Sequence, residues 1–492
     1  MSILTLGSRL LGFVREMVLA NYYGAGMVTD AYNIAQNIPS YLLAGLLTAC
    51  SVAYMPTLAE KAESAEGFKG ANLFTSQLVN FLFIICGVCS VLGMIFAVPL
   101  VHLFAPGFEG ESVSLTAFYL RIAFLIVICT IFISIFEAFL QYKGYFLPQL
   151  AFGYIQNFLI IATIIVSVRT THYILIVGVV LGHIARALFA LLKARSVGYR
   201  YTPSFQASDT VKTVAALSIP IFIGGYVTQI NTMIDRLLAS NLVTGSISAL
   251  QYGNLIVGVF TGLTTTVIVT VLYPKLNKAF AENNFARISD ISERCINLCF
   301  VVTVPFALGA VLYAQPAVQV LYERGAFDSA ATSLTAAAFA YYAIGGIVFV
   351  SINNVITKVY YSMHDTKTAV KCSLISVLVN IVLNLILVRF MAHGGLALAT
   401  SIAQIVNTVL LYFTFRRRYP QISLLRSSRK AVWVCLFSVL ACGVSYLLWL
   451  ILPLTQFPRL CISAFAAVVI YLVCLKLAKF EELDLIRQLV KG

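Results

Sequence analysis

Three charged side chains lie close together in the first apolar stretch of the chain. They are Arg9, Arg15 and Glu16, which lie within the run Ser8–Glu16. A charge at the middle of a bilayer costs at least about 2.5–3.5 kcal/mol on insertion scales, so such a residue usually faces a cavity or a partner. Guanidinium groups pair with phosphate oxygens through forked hydrogen bonds. Two arginines facing a cavity would suit a diphosphate, and we take all three residues as candidates for binding a ligand.

Simpler roles are open for parts of this cluster. Arg9 is close enough to the N-terminus for its side chain to reach the membrane surface, and Arg15 lies deeper in the run. Arg15 and Glu16 are sequence neighbours, and neighbours on a helix do not face each other, so we expect no pairing between them.

Polar residues also mark the ends of two later apolar runs. Asp30 follows the outer turn, where it either caps the second helix or forms a gating partner for an arginine. Asp235 and Arg236 lie near the outer end of the seventh run, where they form a local ion pair or take part in gating.

A further polar set interrupts the second and eighth runs at matching positions. Gln36 and Asn37 lie in the second run, and Asn254 lies in the eighth. Polar groups at paired positions of two halves point to a central binding site in transporters. Hydrogen bonding between helices is the alternative role.

The composition decides which kind of scaffold must position these residues. The 492-residue chain is 60% hydrophobic and 11% charged, with a mean hydropathy of +0.92, whereas soluble domains have about 25% charged residues. Apolar runs of about 20 residues without alternation predict membrane-spanning helices. The net charge of +14 does not indicate nucleic-acid binding, because the basic residues lie between the apolar runs.

The pattern predicts an all-α polytopic membrane protein with about fourteen transmembrane helices. The predicted spans are 2–24, 30–57, 74–104, 113–141, 147–168, 172–194, 211–240, 246–274, 289–321, 331–361, 368–390, 394–415, 430–452 and 458–478. Basic clusters such as Arg416–Arg418 follow the even-numbered spans, and the loops after odd-numbered spans hold one basic residue or none. The positive-inside rule therefore predicts that both termini are cytoplasmic.

An internal repeat divides the predicted spans into two equal sets. Ser114–Ala117 recurs as Ser333–Ala336, and the Pro56 region recurs around Pro274, at an offset of roughly 218 residues. Each half has six spans, so the repeat is parallel, as in transporters with a central cavity. We predict an N-lobe at 1–200, a C-lobe at 201–420, and two extra helices with a cytoplasmic tail at 421–492.

The sequence contains no pattern for catalysis or for a cofactor. Cys86 and Cys89 form a C-x-x-C inside a span, where packing is the expected role. No metal-ligand spacing, catalytic nucleophile motif or phosphate-binding loop occurs, so we predict neither an enzyme nor a metal site. An ion gradient or the membrane potential is then the expected energy source.

Several segments resemble the MurJ (MviN) family, lipid II flippases of the multidrug/oligosaccharidyl-lipid/polysaccharide exporter superfamily. The matching segments are Ser8–Glu16, Gly24–Gly26, Thr29–Tyr32, Met55–Glu60, Ala105–Phe108, Tyr322–Phe327, His364–Thr368 and Gly394–Ala399. The resemblance implies two lobes around a cationic cavity, a groove for a polyprenyl tail at the last two spans, and important roles for Arg9, Arg15 and Asp30. It also implies a bacterial cytoplasmic membrane protein, expected to be a monomer that works beside cell-wall synthesis proteins.

The sequence departs from the family pattern in spans 2 and 8. Leu43, Ala44 and Leu255 stand where the family usually has basic residues, and Asn254 stands where it usually has an acidic one. The leading expectation is alternating-access transport of lipid II from the inner to the outer leaflet. The alternatives are another polyprenyl-diphosphate-linked oligosaccharide, a drug antiporter, or a membrane scaffold for cell-wall synthesis that transports nothing. The basic first span argues against the antiporter, because cationic drugs favour acidic cavities.

Overall fold

The computed structural model consists of α-helices throughout its described part, which comprises residues 2–64, 67–204, 208, 210–211, 229–425 and 429–482. No strand occurs among these residues. The helices are α1 (Ser2–Tyr23), α2 (Met27–Glu63), α3 (Gly67–Ile95), α4 (Ala97–Phe104), α5 (Glu111–Ala123), α6 (Leu125–Tyr142), α7 (Leu147–Arg169), α8 (Ile174–Ser196), α9 (229–239), α10 (Ser246–Ala281), α11 (Phe285–Leu312), α12 (Ala314–Tyr322), α13 (Ser329–Gly346), α14 (Val348–Ser362), α15 (Thr366–Arg418), α16 (Arg429–Ile451) and α17 (Gln456–Leu477).

The predicted all-α membrane fold is confirmed. Nine helical segments within the described ranges are long and apolar enough to cross a bilayer. α1 is not one of them, because its charged residues interrupt an otherwise apolar helix. The count of fourteen spans stays a prediction, since most of the predicted span 211–240 lies outside the described residues.

Four predicted spans consist of two consecutive helices separated by a single residue. The breaks fall at Phe96, Phe124, Tyr313 and Ile347. A backbone group released at a break inside lipid must find another partner. Ser90 Oγ donates to the carbonyl of Phe124 at 3.0 Å, and the amide of Gly345 donates to Ser401 Oγ at 3.1 Å. Serine hydroxyls on other helices therefore bond to backbone groups at the breaks near Phe124 and Ile347.

The chain forms two compact units, Met1–Ser248 and Ala249–Gly492. In the first unit, α7 packs against α1 and α8, and α2 packs against α5 and α6. In the second, α15 packs against α13 and α14, while α16 contacts α11 and α17. The predicted lobe boundaries near residues 200 and 420 stay predictions, because the span that would begin the C-lobe lies mostly outside the described residues.

A sharp reversal inside α15 separates the predicted spans 368–390 and 394–415. Ala392 has φ 47° and ψ −131°, which is not helical, whereas the helix continues on both sides. The left-handed side of the backbone map is costly for a residue with a Cβ, roughly 1–3 kcal/mol. The reversal allows one continuous segment to form two spans with almost no connecting loop.

Replacing Ala392 with glycine is expected to stabilise the protein by about 1 kcal/mol, because glycine adopts this conformation without steric cost. The measurement is the midpoint of thermal unfolding of the purified protein in detergent. Ala464 is a matched control, since it is exposed within α17, and Ala464→Gly should lower the midpoint. A lower midpoint for both variants would contradict the strain at Ala392.

Candidate functional site

Arg15 and Glu16 form an ion pair in the second half of α1. Arg15 Nε and Nη2 both donate to Glu16 Oε1, at 3.1 and 2.6 Å. The Glu16 side chain is 3% exposed and that of Arg15 is 24% exposed. The expectation that these neighbours would not pair is wrong, because the long guanidinium arm folds back along the helix to reach the carboxylate. The pairing removes the net charge that burial would otherwise penalise.

Asn157 on α7 fixes the other side of the Arg15 guanidinium. Its Oδ1 accepts from Arg15 Nη1 at 3.2 Å. Its Nδ2 donates to the carbonyl of Gly153 at 3.0 Å, so the amide is oriented with its oxygen toward the arginine. A guanidinium has five N–H groups, and these contacts use three of them. Two N–H groups of Arg15 have no hydrogen-bond partner among the described residues.

Close packing between α1 and α7 makes this contact possible. A Cβ at Gly153 would lie 2.8 Å from Ser8 Oγ, which is closer than real contacts allow. Tyr154 Oη donates to the carbonyl of Leu4 at 2.9 Å and ties the same two helices together. Sequence reasoning did not identify Asn157, because nothing in the sequence shows which residue of α7 lies beside Arg15.

Asp30 lies buried at the first turn of α2, but it binds the start of a different helix. Its Oδ2 accepts from the Gly245 amide at 2.6 Å, and its Oδ1 accepts from the amide and the hydroxyl of Ser248 at 2.8 and 2.6 Å. These donors are at the N-terminus of α10, where unpaired amides and the helix dipole favour an anion. Of the two roles considered for Asp30, the cap of its own helix is not the one observed, since Thr29 Oγ1 accepts from the Gly26 amide there. The gating role stays a prediction.

Glycine at position 245 is needed for this joint. Gly245 has φ +92°, a conformation that residues with side chains rarely adopt, and a Cβ there would collide with the carbonyl of Ala25. Arg236 binds the same segment from α9, where its buried side chain donates from Nη1 to the carbonyl of Ile247 at 2.8 Å. The ion pair between Asp235 and Arg236 stays a prediction. The first turn of α10 is therefore held from two sides: Asp30 accepts from its amides, and Arg236 donates to one of its carbonyls.

The remaining candidates lie in less constrained positions. Gln36 Nε2 donates to Asn33 Oδ1 at 3.4 Å, and Asn37 Nδ2 donates to the Asn33 carbonyl at 2.7 Å, so both amides bond within α2. Arg9 is exposed on α1, and Asn254 is exposed on α10. Their roles in binding a ligand stay predictions.

A second, partly buried ion pair joins α6 to α8 in the same unit. Arg186 donates from Nε and Nη2 to the two oxygens of Glu137 at 2.9 and 3.1 Å, and from Nη1 to Gln156 Oε1 at 3.2 Å. His183 Nδ1 donates to the carbonyl of Val179 at 2.8 Å, which leaves its Nε2 to accept from Gln156. The charges of Glu137 and Arg186 were visible in the sequence, whereas their pairing required the fold.

The described residues include no group of three or more His, Cys, Asp or Glu side chains that could hold a metal ion. The candidate residues of the first unit comprise Arg15, which is paired with Glu16, and Asp30, which binds the start of α10.

Comparison with known proteins identifies the family. A family model described as Lipid II flippase MurJ matches residues 19–469. The chain belongs to the MurJ family. A Burkholderia cenocepacia lipid II flippase MurJ is 28% identical over 84% of this chain and 82% of its own length. A Vibrio cholerae protein named "Probable lipid II flippase MurJ" is 30% identical over 88% of this chain and 84% of its own.

Solved structures agree with the MurJ assignment. A structure described as "Lipid II flippase MurJ, inward closed conformation" has a TM-score of 0.86 and 26% identity, and covers 99% of both chains. An inward-facing MATE multidrug transporter of the MOP superfamily has a TM-score of 0.67, with 13% identity over 84% of this chain and 94% of its own, and so shares the fold alone. The resemblance drawn from the sequence motifs is confirmed.

Two of the departures from the MurJ pattern can be located. Leu43 is buried on α2, and Leu255 is half-buried on α10. The side chain of Ala44 lies outside the described residues. Apolar side chains at these positions fit their surroundings, and they add no cation to the Arg15 site.

Replacing Asp30 with asparagine is expected to destabilise the protein by about 1–3 kcal/mol, because the amide has one oxygen and its NH₂ would face a buried donor. The measurement is thermal unfolding of the purified variant. Asp328→Asn is the matched control, since Asp328 caps α13 through one oxygen, which accepts from the Ala331 amide at 2.8 Å. Asparagine caps equally well there, so little change is expected. Equal losses for the two variants would show that Asp30 is an ordinary cap.

Proposed function

We propose that this protein moves lipid II from the inner to the outer leaflet of the bacterial cytoplasmic membrane. The observation that carries the proposal is the Arg15 guanidinium, which lies in an apolar helix and keeps two N–H groups for a ligand. Membership of the MurJ family supports the cargo, because the curated relatives are named as lipid II flippases.

The chemistry of Arg15 suits a diphosphate. Two N–H groups of one guanidinium form a bidentate contact with two phosphate oxygens. Glu16 and Asn157 hold the guanidinium in place, so binding a phosphate costs little side-chain entropy. Glu16 also cancels one positive charge, which limits the affinity and allows the cargo to leave. Arg9, six residues earlier, would supply the second cation for the diphosphate.

The transport cycle that we propose is alternating access, in which the site opens to one leaflet at a time. Asp30 would act as a latch in this cycle, because it joins the start of α2 to the start of α10 through three hydrogen bonds. Opening the latch would break three hydrogen bonds together, and closing it would form them again, so the energy spent on opening would be recovered on closing. Gln36, Asn37 and Asn254 would contact the sugar or peptide of the cargo.

The energy for the cycle would come from the membrane potential or an ion gradient. One elementary charge that moves through 100 mV gains about 2.3 kcal/mol. The diphosphate carries negative charge, so its outward movement follows a potential that is negative inside. Both termini would lie in the cytoplasm, as the distribution of basic loops indicates.

A second candidate cargo is another polyprenyl-diphosphate-linked oligosaccharide. The observation that favours it is the pair Leu43 and Leu255, which are apolar where the family usually has basic residues. Arg15 would hold the diphosphate of either lipid, so the difference would lie in recognition of the sugar and peptide.

The central experiment depletes the lipid II flippase of a bacterial host and expresses this chain in its place. Wild type should restore growth, and Arg15→Ala should not, because no other group presents a fork at this position. Arg287→Ala is the matched control, since Arg287 forms an exposed ion pair with Glu282 at 2.9 Å and should not matter. Failure of the wild type to rescue would contradict lipid II as the cargo, and rescue by Arg15→Ala would contradict the role of Arg15.

Asn157→Leu tests the orientation of Arg15, because leucine keeps the branched shape of the side chain and removes the oxygen that accepts from Arg15. Loss of one hydrogen bond to a charged group, worth about 1.5 kcal/mol, is expected to lower the transport rate about tenfold. The measurement is accessibility of labelled lipid II in vesicles that contain the purified protein. Asn157→Asp should retain more activity than Asn157→Leu, since it keeps the oxygen that accepts from Arg15. Full activity of Asn157→Leu would exclude a positioning role.

A further inference from the structure

A proline interrupts the backbone hydrogen bonding of α11 in the second unit. In a regular helix the amide of residue 305 would donate to the carbonyl of Val301, but that residue is Pro305, which has no N–H group. α11 is long and apolar enough to cross a bilayer, so the Val301 carbonyl needs another donor. Thr303 Oγ1 donates to the carbonyl of Cys299 at 2.6 Å in the same turn, and such bonds often bend helices. This part of α11 is therefore predisposed to bend.

The donor that replaces the missing amide comes from another helix. Tyr471 on α17 is buried, and its phenol donates to the Val301 carbonyl at 2.8 Å. Cys442 on α16 is buried beside it, and its Sγ donates weakly to the Pro305 carbonyl at 3.7 Å. The helices α16 and α17 therefore contact α11 at the place where its own backbone is interrupted.

The same two helices also contact the break at the end of α11. Tyr313 separates α11 from α12, and its hydroxyl lies 2.7 Å from Ser445 Oγ on α16. Ser445 donates its own proton to the carbonyl of Ser463 on α17 at 2.5 Å, so Tyr313 is the donor to Ser445. All three side chains are buried. The segment between the proline and the break is thus fixed at both ends by α16 and α17.

We propose that α11 bends at Pro305 during transport and that the hydrogen bond from Tyr471 to Val301 is a removable brace for this hinge. A carbonyl that is bound by a backbone amide of its own helix is released only when that helix unwinds. The Val301 carbonyl is bound by a side chain of another helix, so it is released when the two helices move apart. Release breaks one hydrogen bond and leaves the rest of α11 intact, and prolines are common sites of sharp helix bending.

The brace is tested by thermal unfolding of the purified full-length protein in detergent. Tyr471→Phe should lower the midpoint by about 2–4 °C, because it leaves the Val301 carbonyl buried without a donor. Tyr360→Phe is the matched control. Tyr360 is also buried, and its phenol donates to the carbonyl of Leu411 at 3.1 Å, but that carbonyl keeps the amide of Phe415 as its helical partner. The control should lower the midpoint by less than half as much.

Pro305→Ala restores the missing amide, so it should make the brace unnecessary. In that background Tyr471→Phe should shift the midpoint by less than about 1 °C. An equal shift in both backgrounds would contradict the pairing of the phenol with a carbonyl that proline has freed. If Pro305→Ala does not fold, hydrogen exchange of the single variants decides. Tyr471→Phe should speed exchange of the amides at 306–309 about fivefold or more, Tyr360→Phe should not, and equal rates in the two variants would overturn the brace.

The hinge rests on the function proposed above, and its test is the rate at which vesicles with the purified protein move labelled lipid II. Pro305→Ala should lower the rate about tenfold and leave the affinity for lipid II within about twofold, because a regular helix resists bending but does not alter the Arg15 site. Pro148→Ala is the matched control, since Pro148 lies in the first turn of α7, where no helical donor is needed, and it should leave the rate unchanged.

An unchanged rate in Pro305→Ala would overturn the hinge and leave Pro305 as a fixed kink. Absence of transport by the wild type would instead contradict the proposed function. The unfolding and exchange measurements need no cargo, so they decide on the brace in either case.

Discussion

A charged side chain inside an apolar helix must be compensated, and the arrangement around Arg15 follows from that requirement. Glu16 neutralises the guanidinium, and Asn157 fixes its orientation through an amide that is itself held by the backbone of α7. Removal of one member would leave a buried charge or donor, which costs far more than the net energy that the intact group contributes. The same logic applies to Glu137 and Arg186, whose forked pair lets two partly buried charges lie between α6 and α8. Each of these charged side chains is therefore paired, while Glu16 Oε2 has no hydrogen-bond partner among the described residues and two N–H groups of Arg15 stay unused.

The start of α10 presents the complementary situation, in which the backbone supplies the donors and a side chain supplies the charge. Asp30 bonds to two amides and one hydroxyl, so a single carboxylate joins residues that are more than two hundred positions apart in sequence. The three hydrogen bonds of Asp30 form together, because one carboxylate accepts all of them. Moving the carboxylate away would break all three. A residue of this kind is suited to a transition between two discrete arrangements, as the proposed cycle requires.

The sequence predicted the class of fold and the family more reliably than the contacts within the site. Long apolar runs report directly on the bilayer, so the helices of both units were expected, and the Ser8–Glu16 motif was specific enough to indicate the family. The pairing of Arg15 with Glu16 was not predicted, because the rule that helix neighbours do not face each other describes where their Cβ atoms point. A guanidinium lies several bonds beyond Cβ and can turn toward the neighbouring side chain. For Asp30, the sequence left a local helix cap and a gating partner open, and its contacts with Gly245 and Ser248 depend on tertiary structure. The role of Asn157 could not be predicted, because the sequence does not show which polar residue of α7 lies beside Arg15.

The contact between Asp30 and Ser248 also bears on how the repeat arose. The two residues are 218 positions apart, which matches the offset of the predicted internal repeat, so that repeat would place them at equivalent positions of its two halves. A duplicated ancestor with identical halves would have placed the same side chain on both sides of this joint. Two aspartates would repel each other, and two serines would offer no charge to the helix start. An acid on one side and an alcohol on the other avoid both outcomes, so this joint requires different residues at the two positions.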